Sequence, residues 1–350
     1  MHMADALISP IVGATMWVAT AGVAAYSIKR IQTEMDEKKI PLMGVMGAFI
    51  FASQMINFAI PGTGSSGHIG GGLILAILLG PYAGFLTMAS VLTIQALFFA
   101  DGGLLALGSN VFNMGFFTCF IAYPLIYKGF MKKGYTTRRI VLASVLTAII
   151  GLQMGAFGVV LETLFSGKTE LPFGTFVLLM QPIHLAIGAI EGLVTAAVVT
   201  YIWNSRPEII ERASSGEAIG NVTIKKVVAR LVIVAVLTGV GLSWFASSNP
   251  DGLEWAMIKT AGTAELEAPD GLHQQLSDLQ SKIAFLPDYS FKAPVNEIEQ
   301  SAGEGKEAWP AVSGGTSTAG LIGGGMTLGL AALVGAGISM LKRRKMRANS

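Results

Sequence analysis

The sequence predicts an all-α polytopic membrane protein, on three observations. Of its 350 residues 52% are hydrophobic and 13% charged, and the mean hydropathy of +0.59 is far above that of soluble domains. Apolar stretches recur at the length of about 20 residues that a helix needs to cross the roughly 30 Å hydrocarbon core. Lys and Arg gather in short clusters between those stretches and seldom within them. Such clusters beside apolar spans argue against nucleic acid as a partner. The single cysteine, Cys119, allows neither an intrachain disulfide nor a thiolate-rich metal site.

Taken in order, the predicted spans are Ile11 to Ile28, Pro41 to Ile60, Ile69 to Gly80, Tyr82 to Ala100, Leu104 to Tyr127, Ile140 to Leu161, Ile183 to Trp203, Val227 to Ala246 and Leu321 to Leu341. That makes about nine transmembrane helices. The first 28 residues carry no Lys or Arg, whereas Lys29, Arg30, Lys38 and Lys39 follow at once. This reverses the charge order of a secretory signal peptide and places the N-terminus outside. Threading nine spans from there puts the C-terminus inside, together with 19 of the 24 basic residues, as the positive-inside rule asks. Merging the third and fourth spans would turn the Lys128 and Lys342 clusters outward, so the two are kept separate.

The third span has only 12 residues, about 18 Å of helix at 1.5 Å per residue, and cannot cross alone. The stretch before it, Pro61-Gly-Thr-Gly-Ser-Ser66-Gly-His68-Ile-Gly-Gly-Gly72, holds six glycines. It reads as non-helical backbone dipping into the protein, which is tolerated at membrane depth only where protein or a cavity receives it. The chain divides into a seven-span body (1–205), a cytoplasmic linker (206–226) and a two-span accessory region (227–350). Within the last, Ser247 to Gly320 carries 11 acidic residues against four lysines and is expected to lie outside, loosely structured. A helix start is expected at Asn249-Pro-Asp251, with Asp251 or Asn249 as cap.

The N-terminus is the most informative chemistry. In Met1-His2 the α-amine, the His2 amide nitrogen and its Nδ1 can chelate one metal through fused five- and six-membered rings. Three in-plane nitrogens point to Ni(II) or Cu(II) over Zn(II), Mg(II) or Ca(II). An imidazole is the natural fourth donor, and His68 on the glycine loop leads, ahead of His184 and His273. Methionine removal requires a small second residue, so Met1 is expected to be retained with a free amine. Asn57 is the first choice to accept the other N–H of His68; Ser66, His184 and Glu191 are further residues for a supporting or coupling role. Gln54, Gln95, Asn110, Asn113 and Gln153 also fall in apolar spans and are expected to face the bundle interior. Ser166-Gly-Lys-Thr169 ends like a phosphate-binding loop, but Glu162 stands where that loop needs glycine. No nucleotide motif or catalytic constellation is found, so the chain is not read as an enzyme.

Three stretches are similar to one family: Met1-His-Met-Ala-Asp-Ala-Leu-Ile-Ser-Pro10, Ile60 to Gly72, and Leu92 to Gly115 with its Asp101-Gly-Gly and Asn110-Val-Phe-Asn113. With Gln181-Pro-Ile-His-Leu-Ala-Ile-Gly-Ala-Ile-Glu-Gly-Leu193 they resemble the substrate-binding components of energy-coupling-factor transporters for nickel and cobalt, the CbiM/NikM family, over about residues 1 to 205. Pro250-Asp-Gly-Leu-Glu-Trp255 between two spans looks like the accessory membrane subunit of nickel systems, here fused. The resemblance implies Ni(II) as transported substrate, with Co(II) as the alternative, and ligand roles for Met1, His2 and His68. It implies a transmembrane coupling protein and cytoplasmic ATPases as partners, in the inner membrane of a prokaryote. Met3-Ala4 departs from the Ile-Pro of some members. A self-sufficient secondary permease is the competing reading; it would call for carboxylates along a midplane path, where this sequence offers Glu191.

Overall fold

The structure, a computed structural model, describes residues 1–32, 38–268, 271–292 and 309–348. Parts of the acidic segment, 269–270 and 293–308, lie outside the described residues. The fold is a helical bundle whose only sheet among the described residues is one short hairpin. Its helices are α1 (Pro10–Ile31), α2 (Lys39–Gln54), α3 (Gly72–Leu79), α4 (Pro81–Phe99), α5 (Leu107–Met131), α6 (Thr137–Phe165), α7 (Phe173–Ser205), α8 (Pro207–Ser215), α9 (Lys225–Val240), α10 (Gly252–Ala261), α11 (Leu272–Ile283) and α12 (Gly314–Ala348).

Six of these, α1, α4, α5, α6, α7 and α12, are long and apolar enough to cross a membrane, which makes the chain a multi-pass membrane protein. The other three expected spans are shorter. Helix α2 has 16 residues and ends at Gln54, because the chain leaves the helix for strand β1 (Phe58–Ile60). Helix α3 has eight residues, all buried, and α9 has 16 before Gly241 breaks it. Helix α7 begins at Phe173, ten residues before the expected start, so His184 lies within the helix and not at its end.

The glycine-rich stretch does enter the protein. Strands β1 and β2 (Ser65–Gly67) pair antiparallel, and β2 is buried throughout. The chain then reverses at Gly80-Pro81: Gly80 ends α3 with φ +82°, and Pro81 opens α4 at the position where a missing N–H costs nothing. A Cβ at Gly84 would meet Leu75 and Ala76 backbone at 2.9 Å, so α3 and α4 lie backbone to backbone as two separate segments.

The 206–226 stretch, which joins the body to the accessory region, carries α8, whose Ile209, Ile210 and Ala213 are buried and which packs on α3 and α7. An amphipathic helix of this kind forms because an apolar stripe at helical spacing finds a surface to cover. The expectation that the segment from Ser247 is loose is corrected for its described residues. Asp251 caps α10 through the N–H groups of Leu253 and Glu254, and Glu254 returns a bond to the Asp251 N–H, a complete capping box. From there the segment lies on the body: Trp255 Nε1 donates to Thr63 O at 2.9 Å, His273 Nε2 lies 2.8 Å from Ile8 O, and Gln280 donates to Ala96 O and Gly102 O. Each bond gives a partner to a backbone carbonyl in a loop, in the N-terminal segment or in the last turn of α4.

Candidate metal centre

The N-terminus threads into the body and is clamped there by the loop between α4 and α5 and by the first turn of α5. Asn110 both accepts from the Met3 N–H (2.8 Å) and donates to the Met3 carbonyl (3.1 Å). Gly103 N donates to the same carbonyl, and Ala106 N to Asp5 Oδ1. A Cβ on Gly103 would stand 1.9 Å from Asp5 Oδ1, so glycine is required for this approach. Met3 is fully buried; the clamp works through its backbone and needs no proline at position 4.

This brings His2 against the glycine loop, with the His2 and His68 ring centroids 5.2 Å apart. His2 Nε2 is 3.2 Å from Gln95 Oε1, Gln95 donates to Gln54 Oε1, and Gln54 donates to the Gly70 carbonyl. A chain of amides thus ties the N-terminal histidine to the loop that carries the second one. Glu191 of α7 holds the loop from behind, Oε2 and Oε1 accepting from the Gly70 and Gly71 N–H groups at 2.8 and 2.9 Å.

The partner expected for His68 is corrected. Its Nδ1 sits 3.0 Å from the Ile69 carbonyl, not against Asn57, whose side-chain oxygen has no hydrogen-bond partner among the described residues. A carbonyl only accepts, so Nδ1 carries the proton and Nε2 keeps its lone pair. Burial, the nearby Met1 ammonium and His2 push the His68 pKa down to about 4. Burial also lowers that of His2, against the pull of Asp101. Both imidazoles are therefore neutral donors at neutral pH.

His184 lies close by without joining them in a ligand cluster. Its Nδ1 faces the Met180 carbonyl at 2.8 Å, and its Nε2 is buried with no partner among the described residues. It lines a small enclosed pocket with Met1, His68 and Asp251. Ser66 is turned to the accessory segment, its hydroxyl donating to Asn249 O at 2.7 Å. Ser166 of the sequence's phosphate-loop lookalike accepts from the Ser9 N–H.

Two residues at the centre were missed from the sequence. Asp101 Oδ1 lies 3.4 Å from His2 Nδ1, and Asp251 Oδ2 lies 3.2 Å from the Met1 amine. Burial would raise the Asp251 carboxyl, but the Met1 ammonium and the Glu254 N–H outweigh it and hold it well below the usual range. Beyond this pair opens a polar cavity of about 520 Å³ lined by His2, Asn57, His68, Asp101, Asp251 and Asp288 among others. In the sequence Asp101 stands in the Asp101-Gly-Gly motif with no neighbour that shows its partner, and Asp251 reads as a helix cap.

The family described as "Cobalt uptake substrate-specific transmembrane region" (CbiM) matches residues 2–209, more than half of the chain. The chain belongs to the CbiM family. Its remaining part, residues 225–340, matches the PDGLE domain. Among CbiM relatives, a putative fused nickel transport protein NikMN of Archaeoglobus fulgidus is 36% identical over 71% of this chain and 80% of its own length. A putative metal transport protein of Haloquadratum walsbyi is 36% identical over 60% of this chain and 93% of its own. A crystal structure titled as a truncated transition metal transporter superposes with a TM-score of 0.52 at 29% identity, covering 59% of this chain and 99% of that one. As a CbiM protein the chain is a membrane transport component and not an enzyme.

Proposed function

We propose that this chain captures Ni(II) as the substrate-specific component of an energy-coupling-factor importer, the metal held by the Met1 amine, the amide and Nδ1 of His2, and Nε2 of His68. The observation that carries this is the buried meeting of the N-terminus with His68 in a pocket of neutral nitrogen donors. Among the described residues no group of three or more His, Cys, Asp or Glu is placed to hold a metal ion, so a centre here must draw on main-chain nitrogens. Four in-plane nitrogens suit Ni(II), with Co(II) the alternative substrate. Chelation through His2 Nδ1 exchanges its Asp101 contact for the metal. The union of a CbiM body with a PDGLE region in one chain matches the architecture of relatives named as fused nickel transport proteins.

Transport by such a component calls for a transmembrane coupling protein and cytoplasmic ATPases. The face of α1 supports a docking partner: Ala14, Val18, Ala21, Gly22 and Ala25 are exposed, and a Cβ on Gly22 would touch nothing within 4 Å. Small residues of this kind permit close helix approach in lipid. Lys38 and Lys128 bond to carbonyls of the 206–226 stretch, so basic residues gather around that stretch, as a cytoplasmic face requires.

The amine supplies the decisive test. A residue or tag added ahead of Met1 turns the amine into a peptide amide and alters the chelate rings, so calorimetric titration with Ni(II) should show binding lost on any N-terminal extension and kept with a C-terminal tag. The parent complex should be yellow and diamagnetic. An extended protein that bound Ni(II) with parent affinity, its tag's own metal sites excluded, would remove the amine and the square-planar centre together.

A further inference from the structure

The PDGLE region touches the proposed centre directly, through the pair of Asp251 and the Met1 amine. The side chains are 18% and 4% exposed, so water competes little for the contact. The carboxylate is not free to wander. Its Oδ1 accepts from the Leu253 and Glu254 N–H groups at 2.7 and 2.9 Å, leaving Oδ2 aimed at the amine. The turn that carries it is fixed to the glycine hairpin: Ser66 N donates to the Pro250 carbonyl at 2.8 Å and Ser66 Oγ to the Asn249 carbonyl. On its other side Gly252 is wedged against α7, where a Cβ would meet Ile187 at 3.0 Å and the His184 ring at 3.2 Å. Asp251 thus connects four elements at one point: the N-terminus, the hairpin that leads into His68, α7 and α10.

We propose that Asp251 is a positioning residue for metal capture, holding the Met1 amine where the metal needs it. The inference rests on the amine being a ligand. Loading brings in two positive charges and releases two protons, one from the ammonium and one from the His2 amide. The formal charge facing Asp251 is therefore +1 before and after, and its Coulomb attraction cancels between the empty and loaded states to first order. What does not cancel is position. A chain terminus carries a free amine that samples many directions, and only the fraction in the chelating pose can close the ring on an arriving ion, so apparent affinity scales with that fraction. By this contact the accessory region acts on capture without contributing a ligand.

The test uses full-length detergent-purified protein, with Met1 confirmed by intact mass. Asp251→Asn and Asp251→Ser both retain a residue able to cap α10, so the turn survives while the charge on the amine is lost. Both should associate with Ni(II) about tenfold more slowly in stopped-flow measurements, with dissociation within about twofold of the parent, because the competent fraction falls. In the metal-free protein, acylation of the α-amine by an N-hydroxysuccinimide ester, read on the N-terminal peptide, should be correspondingly faster. Glu254→Ala removes the other half of the capping box but leaves the carboxylate on the amine; it should keep parent association and parent amine protection. Parent rates and protection in Asp251→Asn, or the same losses in Glu254→Ala, would overturn the assignment. Failure of the underlying centre is separately visible, since the N-terminally extended protein would then bind Ni(II) normally whatever stands at 251.

Discussion

At the residue scale, the two histidines that share a pocket with Met1 are each held through Nδ1 on a backbone carbonyl and differ in what their rings face. His68 spends its Nδ1 proton on the Ile69 carbonyl and faces His2; His184 is locked within α7 on the Met180 carbonyl. We expect His68→Ala to abolish high-affinity Ni(II) binding in a purified protein that still inserts normally, and His184→Ala to weaken it far less. Equal losses in the two titrations would make His184 the fourth ligand. A second prediction concerns Asp288, which sits at φ +50° in the turn facing the cavity. Burial, then Asp101 and Glu265, raise its carboxyl above the ordinary range. A raised folded-state pKa gives stability below the unfolded value of about 3.9 and loses it as pH rises through the folded one. At neutral pH the ionised group therefore works against the fold. Asparagine removes that charge and tolerates the left-handed backbone; because the residue is exposed and water screens the repulsion, Asp288→Asn should raise the unfolding temperature at pH 7 by no more than about 1 °C, with the gain shrinking near pH 4. A lower midpoint at pH 7 would contradict this.

At the element scale, the glycine loop is the feature most in need of external support, since six glycines offer no side chains to pack and the greatest backbone freedom to lose. Glu191 supplies that support by accepting from two consecutive backbone N–H groups. Each buried N–H left without a partner costs about 1–3 kcal/mol. Glu191→Ala should therefore destabilise the loop and sharply reduce Ni(II) affinity, whereas Glu191→Gln, which keeps an acceptor, should be milder. Unchanged affinity in the alanine variant would restrict Glu191 to a role away from the loop. The short α3 belongs to the same arrangement: it follows shortly after the buried strand β2, and all eight of its residues are buried. Its shortness is legible in the sequence, where the apolar run from Ile69 to Gly80 has only 12 residues. The hairpin pairing before it is not, since three-residue strands carry too few residues to show a period of two.

For the whole molecule, the described part of the accessory region lies over the face where the N-terminus enters. Among the described residues the deep carboxylate Glu191 has both its oxygens engaged by the loop and buried Glu162 is paired with Asn113, so neither is placed as a relay of the kind a self-driven permease uses. Purified chain alone in liposomes should therefore bind Ni(II) without accumulating it, and uptake should appear only with coupling and ATPase subunits plus ATP. Accumulation by the chain alone would establish the permease instead.

Sequence alone determined what depends on local composition and short-range chemistry. Apolar length and basic clusters made this a multi-pass helical membrane protein, the Asp251 cap followed from Pro-Asp-Gly ahead of an apolar turn, and Met1-His2 marked itself by its chelate rings. The glycine loop announced itself as backbone bound for the interior. What only the tertiary structure decided are the contacts between residues distant in the chain: Asp251 on the Met1 amine, Asp101 on His2, and the amide chain from His2 through Gln95 and Gln54 to Gly70. None of these has a local signal, because a buried polar group must find a partner but its own neighbours in sequence do not say which one. The choice is made by which helices pack together, and that is a property of the whole bundle.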